Sequence, residues 1–341
     1  MIYIESRSTD PYRNLALEQY VFDTIEDDCF MLWQNNNSII VGKHQNTLEE
    51  INSDFVKESN ITVARRLSGG GAVYHDMGNL NFTFISAADR QKGIGFSAFC
   101  MPIQEALSSL GVPVEISGRN DMTVEGKKFS GNAQYLKNGR IMHHGTILYD
   151  SNLEVLSQAL KPGKDKIESK GIKSVQSRVT NIRPYMRSDM PIKDFWTALK
   201  EQMSAVFAKQ TGTSVLLDTG ESLREITLTP EQNAAIDELK EKVYSQWSWN
   251  YGNSPPHTLR KAGRIEGCGK IEILIDIDRE GKIKNLGFYG DFFSNRDPQE
   301  IGEILTGQYF KHDDLKAVLK DTDISQYFQN LNNKDFLSLL F

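Results

Sequence analysis

Apolar residues recur at helical spacing soon after the start of the chain. Leu17, Tyr20, Val21 and Ile25 follow a short strand over Ile2 to Ile4 and a Ser-Thr-Asp-Pro turn. Two β-rich segments come next, over 30–33 and 38–42, separated by Gln34 and three asparagines, and that short Asn-rich connection predicts a hairpin. Further strand patterns lie at 61–64, 72–75, 81–86, 114–117, 122–124, 128–130 and 141–149. Phe99, Ile103, Leu107 and Leu110 form one apolar helical stripe that stops at Gly111, with Pro102 disturbing its first turn. Helices are also predicted at about 153–160, 192–210 and 231–245. Strands fall both in hairpins and beside helices, so the pattern predicts an α+β domain with mixed sheets and flanking helices, not a doubly wound sheet.

Near 248–258 a charged helical pattern gives way to Gly, Asn, Ser and Pro-Pro, the composition of a linker. Beyond it Ile271, Ile273, Ile275 and Ile277 alternate strictly, a turn at 278–281 follows, and 283–288 returns as a strand. Helical patterns near 297–306, 311–320 and 334–341 complete a small α+β unit. The division predicted is a first domain over 1–247 and an accessory domain over 256–341, without internal repeats.

Composition narrows the function. The 341 residues carry 39 basic and 45 acidic side chains, a formal charge of -6 that argues against a general nucleic-acid binder. Cys29, Cys100 and Cys268 are widely spaced and include no Cys-x-x-Cys pair, as in a cytosolic protein with reduced thiols. No run long and apolar enough for a membrane span is present, and Glu5, Arg7 and Asp10 interrupt any signal peptide.

Four stretches carry chemistry. In RRLSGGGAVYHD, over 65–76, three glycines expose backbone N–H groups beside two guanidiniums, which suits an anion or nucleotide loop. It is not a P-loop, since no Lys-Ser/Thr follows, and it leads into a strand, unlike a dinucleotide fingerprint. Over 118–134, Glu125-Gly126 makes a two-residue hairpin turn and strand geometry sends Lys127 and Lys128 to opposite faces. If the cleft lies on the face of Ser130, Lys128 is the inward lysine. In the strand bearing His143 and His144 the two rings face opposite ways, so a shared metal is disfavoured and His144 reads as a hydrogen-bonded structural residue beside a close-approach Gly145. The fourth stretch, 161–187, holds eight basic residues against Asp165 and Glu168, a local excess fit for a loop over phosphate.

In that order and spacing, RRLSGGGAVYHD, GRNDMTVEGKKFSGNAQ, HHGTILYD and KGIKSVQSRVTN resemble lipoate-protein ligase A, a family of the biotin/lipoate protein ligase superfamily. The linker and final domain are similar to that family's accessory domain. The resemblance implies activation of lipoate by ATP and Mg2+ to lipoyl-AMP, then transfer to a lysine on lipoyl domains of 2-oxoacid dehydrogenase E2 subunits or on the glycine-cleavage H protein. It implies Lys128 as the catalytic lysine. It further implies binding of ATP and lipoyl adenylate by Arg66, Gly70, Gly71, Ala72, Val73, Tyr74, His75, Asn79, Asn120 and Asp121. Lys170, Gly171, Lys173, Ser177 and Arg178 would belong to a loop that closes over the adenylate, and Asn120 and Asp121 would meet nucleotide or its magnesium. A cytoplasmic monomer is the simplest setting. The rival readings are an ATP-independent lipoyl or octanoyl transferase of the same superfamily, biotin-protein ligase, and a non-catalytic lipoate sensor. A cysteine-dependent transferase lacks a thiol between Cys100 and Cys268. Biotin-protein ligase would carry WPND where GRND stands and a GRGR-type loop where RRLSGGGA stands.

Overall fold

The structure, a computed structural model, describes residues 1–88, 95–118, 120–160, 178–209, 223–251, 259–278 and 281–341, apart from the side chains of Leu48 and Glu49. Strands β1 (Ile2–Glu5), β2 (Cys29–Trp33), β3 (Ser38–Val41), β4 (Thr62–Arg65), β5 (Val73–His75) and β6 (Asn79–Ala87) open the chain. They are followed by β7 (Val114–Ser117), β8 (Asp121–Val124), β9 (Lys127–Lys137), β10 (Arg140–Leu148) and β11 (Arg224–Glu225). Eight of them form one mixed sheet in the order β11-β1-β2-β6-β10-β9-β8-β7, and β4-β3-β5 form a second. The α+β expectation with mixed sheets and flanking helices therefore holds.

Helices cover both faces of the large sheet. Against one, the helices Phe96–Ser109 and Ile192–Lys209 bury Phe99, Ile103, Leu107, Leu199 and Phe207 with Phe30 and Phe84. Against the other lies the helix Pro11–Thr24, started by Asp10, which accepts from the N–H of Tyr12, and by Pro11 in the first turn. Its Leu15, Leu17, Val21 and Phe22 pack with Met31, Trp33, Ile85 and Met142. Burying these apolar faces is what fixes strand register, because a one-residue slip would turn each set to solvent.

The hairpin predicted between β2 and β3 does not form. β2 lies between β1 and β6, whereas β3 is the centre of the small sheet. The asparagines explain the crossing, because their amides bind distant segments in place of a tight turn. Asn14 donates to Asn35 Oδ1 at 2.9 Å, and Asn37 donates to the carbonyls of Ser59 and Asn60.

The C-terminal part is a meander of β12 (Leu259–Ile265), β13 (Gly269–Ile277) and β14 (Ile283–Gly290), backed by helices Gln299–Leu305, His312–Val318 and Asn333–Leu340. Ile271, Ile273 and Ile275 enter its core with Leu286, Phe328 and Phe336. β12 was missed in sequence because its LRKAGRI pattern puts charged residues on an outer strand face. Part of the linker composition also folds: Trp247–Tyr251 is a short helix held against the first domain by Arg65. Among the described residues no helix is long and apolar enough to cross a membrane.

Candidate active site

The glycine loop follows β4, and its two arginines point to different places. Arg65 donates to the carbonyls of Gly42, Lys43, Gln45, Trp249 and Asn250 and to Thr47 Oγ1, so it fastens the loop after β3 to the helix Trp247–Tyr251. Arg66 instead folds the glycine loop, donating to Ile40 O at 3.0 Å, to Gly69 O and Gly71 O at 2.8 Å each, and to Ser68 Oγ at 3.0 Å. Burial pulls its guanidinium down to about 10, well above neutral pH, so the cation persists.

Gly69 and Gly70 are required by contact with the C-terminal domain, whereas a Cβ on Gly71 would meet open space. Gly70 has φ +88° and donates its N–H to Phe292 O at 3.3 Å, which corrects the expectation of uncovered N–H groups along the loop. A Cβ on Gly69 would lie 2.2 Å from the same carbonyl. Phe293 packs on Phe96 and Ala133, and His44 stacks on Phe292 with centroids 4.7 Å apart.

The β8–β9 hairpin turns at Glu125 and Gly126, with φ of 50° and 72° as a type I′ turn needs. Its register shifts: Thr123 pairs Lys128 but Met122 pairs Ser130, leaving Phe129 as the extra residue of a bulge. The bulge puts Lys128 on the face of Asp121 and Gly131, not that of Ser130, while Lys127 is exposed. Lys128 Nζ lies 2.7 Å from Asp121 Oδ1, an ion-pair contact. Lys128 N–H donates to Arg178 O at 2.8 Å, and Thr180 N–H donates to Lys128 O at 2.9 Å. Residues 178–180 of the basic stretch are thus laddered onto the lysine itself.

On β10 the adjacent histidines diverge as expected. His143 is buried on the core side, stacked on Phe99 at 4.8 Å and bonded to Gln134 and Asn132, and burial holds it well below its ordinary range. His144 faces the other way, toward Glu18 and Ser68. Gly145 is tightly enclosed: a Cβ there would stand 2.3 Å from Asn132 Oδ1 and 2.4 Å from the Phe82 ring.

Two cavities meet at Lys128. One, of about 260 Å³, is lined by Leu15, Trp33, Ile40, Arg66, Gly70, Gly71, His75, Asn81, Asn120 and His144, and by Asp291 of the C-terminal part. The other, of about 500 Å³, is lined by Tyr74, Phe129, Leu148, Leu156, Leu160, Arg178 and Val179. Ala72, Val73, Asp121, Lys128, Gly131 and Thr146 line both.

Most of the residues singled out in sequence therefore converge. Asn79 does not reach a cavity; it is buried and donates to Asn81 Oδ1 at 2.8 Å. Arg65 and Lys127 are not part of the lining either. Lys170, Gly171, Lys173 and Ser177 lie outside the described residues. Arg183, counted in the basic stretch, is bonded to Asp150 and Asp189 and so is structural.

His75 accepts from Asn35 at Nδ1 (3.1 Å), which leaves its proton on Nε2, buried and without a partner among the described residues. Burial first, then the positive charge of Arg66, lower it to about 3. Asn81 Nδ2 is likewise buried and unpartnered, so the smaller cavity keeps donors in reserve.

Sequence reasoning missed Trp33, Asn81, Gly131 and Thr146 as lining residues, and it missed Glu18 behind them. Only Glu18 left a signal. It is a carboxylate three residues after Leu15 and four before Phe22, on the apolar face of its helix.

Residues 10–204 match the lipoyl protein ligase A/B catalytic domain, and residues 254–340 match the bacterial lipoate protein ligase C-terminus. The lipoate-protein ligase LplJ of Bacillus subtilis is 40% identical, with all of both chains covered. P. falciparum LipL1, solved in complex with lipoate, is similar with a TM-score of 0.74 and 25% identity, over 99% of this chain and 97% of the other. A lipoate-protein ligase A bound with ATP gives a TM-score of 0.60 and 25% identity, over 74% of this chain and 97% of the other. With both of its domains matched and a relative this similar over its whole length, the chain belongs to the lipoate-protein ligase family.

Proposed function

We propose that this ATP-dependent lipoate-protein ligase seats the lipoyl tail in the smaller cavity, among Leu15, Trp33 and Ile40, and the nucleotide in the larger one, with Lys128 between them. The observation that carries the reading is that Lys128 lines both cavities. In the first step a carboxylate oxygen of lipoate attacks the α-phosphorus of ATP, the bond to the leaving oxygen breaks, and pyrophosphate departs. In the second, the ε-amine of an acceptor lysine attacks the acyl carbon, the bond to AMP breaks, and the amine loses a proton. Both steps concentrate negative charge between carboxyl and phosphate, where a fixed ammonium stabilises it.

The other assignments follow the geometry. Arg66 faces the lipoate carboxyl and the adenylate from the glycine-loop side, with Gly70, Gly71, Ala72 and Val73 as the backbone wall. Tyr74, Leu148 and Leu156 offer the purine an apolar seat. Asp121 is the carboxylate that lines both cavities, and magnesium is commonly held by one or two carboxylates together with substrate phosphates. Asp121, with Asn120 beside it, therefore fits that ion, which when bound would offset triphosphate charge. Arg178 at the rim of the larger cavity supports closure of the preceding segment over the adenylate. Lipoyl domains of E2 subunits or the H protein are the proposed acceptors, and the cytoplasm is the proposed setting. The cysteines do not supply a nucleophile: all three are buried, and burial pushes the Cys100 thiol up to about 12.

The test is lipoate-dependent ATP–pyrophosphate exchange, compared with octanoate and biotin. The chain should exchange with lipoate. Lys128→Ala should lower the exchange about a hundredfold or more while circular dichroism stays unchanged. Exchange only with biotin, or transfer from a lipoylated protein with no exchange, would replace this reading.

A further inference from the structure

The buried polar groups behind the smaller cavity form one continuous hydrogen-bond chain. Trp33 Nε1 donates to Thr83 Oγ1 at 2.9 Å, and the Thr83 hydroxyl donates to Glu18 Oε1 at 2.5 Å. His144 Nδ1 lies 3.0 and 3.3 Å from the two Glu18 oxygens. At the other ring nitrogen, Ser68 Oγ lies 2.6 Å from His144 Nε2, and Arg66 Nε donates to Ser68 Oγ at 3.0 Å.

Indole and guanidinium N–H groups can only donate, so Thr83 and Ser68 accept from them, and the Thr83 hydroxyl turns its own proton to Glu18. An ionised carboxylate can only accept, so His144 Nδ1 carries a proton toward Glu18, whether Ser68 donates to the ring at Nε2 or accepts from it. Glu18 is 1% exposed and supplies the one negative charge in a chain that ends on a buried guanidinium. Apart from Ser68, every acceptor of Arg66 is a neutral carbonyl.

Serine, histidine and carboxylate in this order also describe a nucleophilic triad. Here the serine is 1% exposed and lines neither cavity, and its oxygen already receives Arg66. The same geometry that would activate an accessible serine instead fixes an arginine.

We propose that Glu18 is a positioning residue for lipoate activation: acting through His144 and Ser68, it holds Arg66, and with it the glycine-loop carbonyls, in the orientation that receives the lipoate carboxyl. The proposal rests on the assignment of the smaller cavity to lipoate. Glu18 and Ser68 touch neither cavity, whereas Arg66, His144 and Trp33 line the smaller one, so the effect should be specific to lipoate.

The experiment is ATP–pyrophosphate exchange by the full chain, with Glu18→Gln, Ser68→Ala and the double variant, each checked for Tm. Glu18→Gln should raise the KM for lipoate about tenfold, the scale of a lost hydrogen bond to a charged group, and leave the KM for ATP within about twofold. The double variant should be no worse than the more affected single, because both changes break one chain. An unchanged lipoate KM in folded Glu18→Gln would overturn the proposal, as would additive effects or a lipoyl ester on Ser68 found by peptide mass spectrometry. Should Glu18→Gln fail to fold, Ser68→Ala decides alone, and a normal lipoate KM there also overturns it. Absence of exchange by the unaltered chain would instead overturn the functional reading itself.

Discussion

The two cavities that meet at Lys128 are built differently. The smaller is walled by strands of both sheets and backed by a hydrogen-bond chain, and Asp291 brings the C-terminal domain to it. Among the described residues the larger has no lining beyond Val179, and its walls include Leu156 and Leu160 beside the ladder from Lys128 to Val179. On the proposed assignment the acyl side is set by interior packing, whereas the nucleotide side adds to its strand residues a short helix and a segment paired with β9. Changes behind the first should act through fixed polar geometry, and changes in the second through lost apolar contact.

The sharpest way to break this contrast is at the residue both cavities share. A Cβ at Gly131 would lie 3.1 Å from Lys128 Nζ and 3.2 Å from its Cε, so Gly131→Ala must push the ammonium aside. Small displacements of a reacting group are costly, and kcat for exchange should fall about tenfold with either substrate varied. An unchanged kcat would mean that the resting position of Lys128, paired with Asp121, is not its working position. A smaller effect is expected from Leu156→Ala, which removes apolar surface from the larger cavity alone. Loss of about 1 kcal/mol of contact should raise the KM for ATP about fivefold and leave that for lipoate alone. Equal effects on both substrates would erase the division.

What could be read from the sequence follows the range of the interactions. The β8–β9 turn was legible because Glu125-Gly126 specifies it locally. The inward lysine was identified, but its facing partner was not: the bulge at Phe129 is a property of strand pairing, and it exchanges Ser130 for Gly131. The hairpin predicted after Trp33 failed because Asn35 and Asn37 bond to Asn14, His75, Ser59 and Asn60, partners that only the folded chain brings near. Arg65 and Arg66 looked like one cationic pair, yet consecutive side chains leaving the end of a strand diverge, and Arg65 holds the helix Trp247–Tyr251 instead. Glu18 was hidden because a single carboxylate on an apolar helix face acquires meaning only when His144, from a strand over a hundred residues later, is placed against it.

A further contrast between the cavities is expected in acid. His75 lines the smaller one and His143 lies behind it, both held by burial below their ordinary value, His75 at about 3. Among the described residues no histidine lines the larger one. Between about pH 6.5 and 3 the unfolded chain binds a proton at His75 that the folded chain does not, so stability is full above that window. It should fall as pH drops, by about 1.4 kcal/mol per unit for each such imidazole. Urea unfolding at pH 7, 6, 5 and 4 should show that slope, and His75→Gln, whose amide can still accept from Asn35, should flatten it by one proton. Because the native imidazole stays neutral throughout, the KM for lipoate should show no inflection near pH 6.5. An inflection there that disappears in His75→Gln would mean that the ring takes up a proton inside the folded cavity. The smaller cavity would then be wet, and its orphaned Nε2 would face water rather than await a ligand.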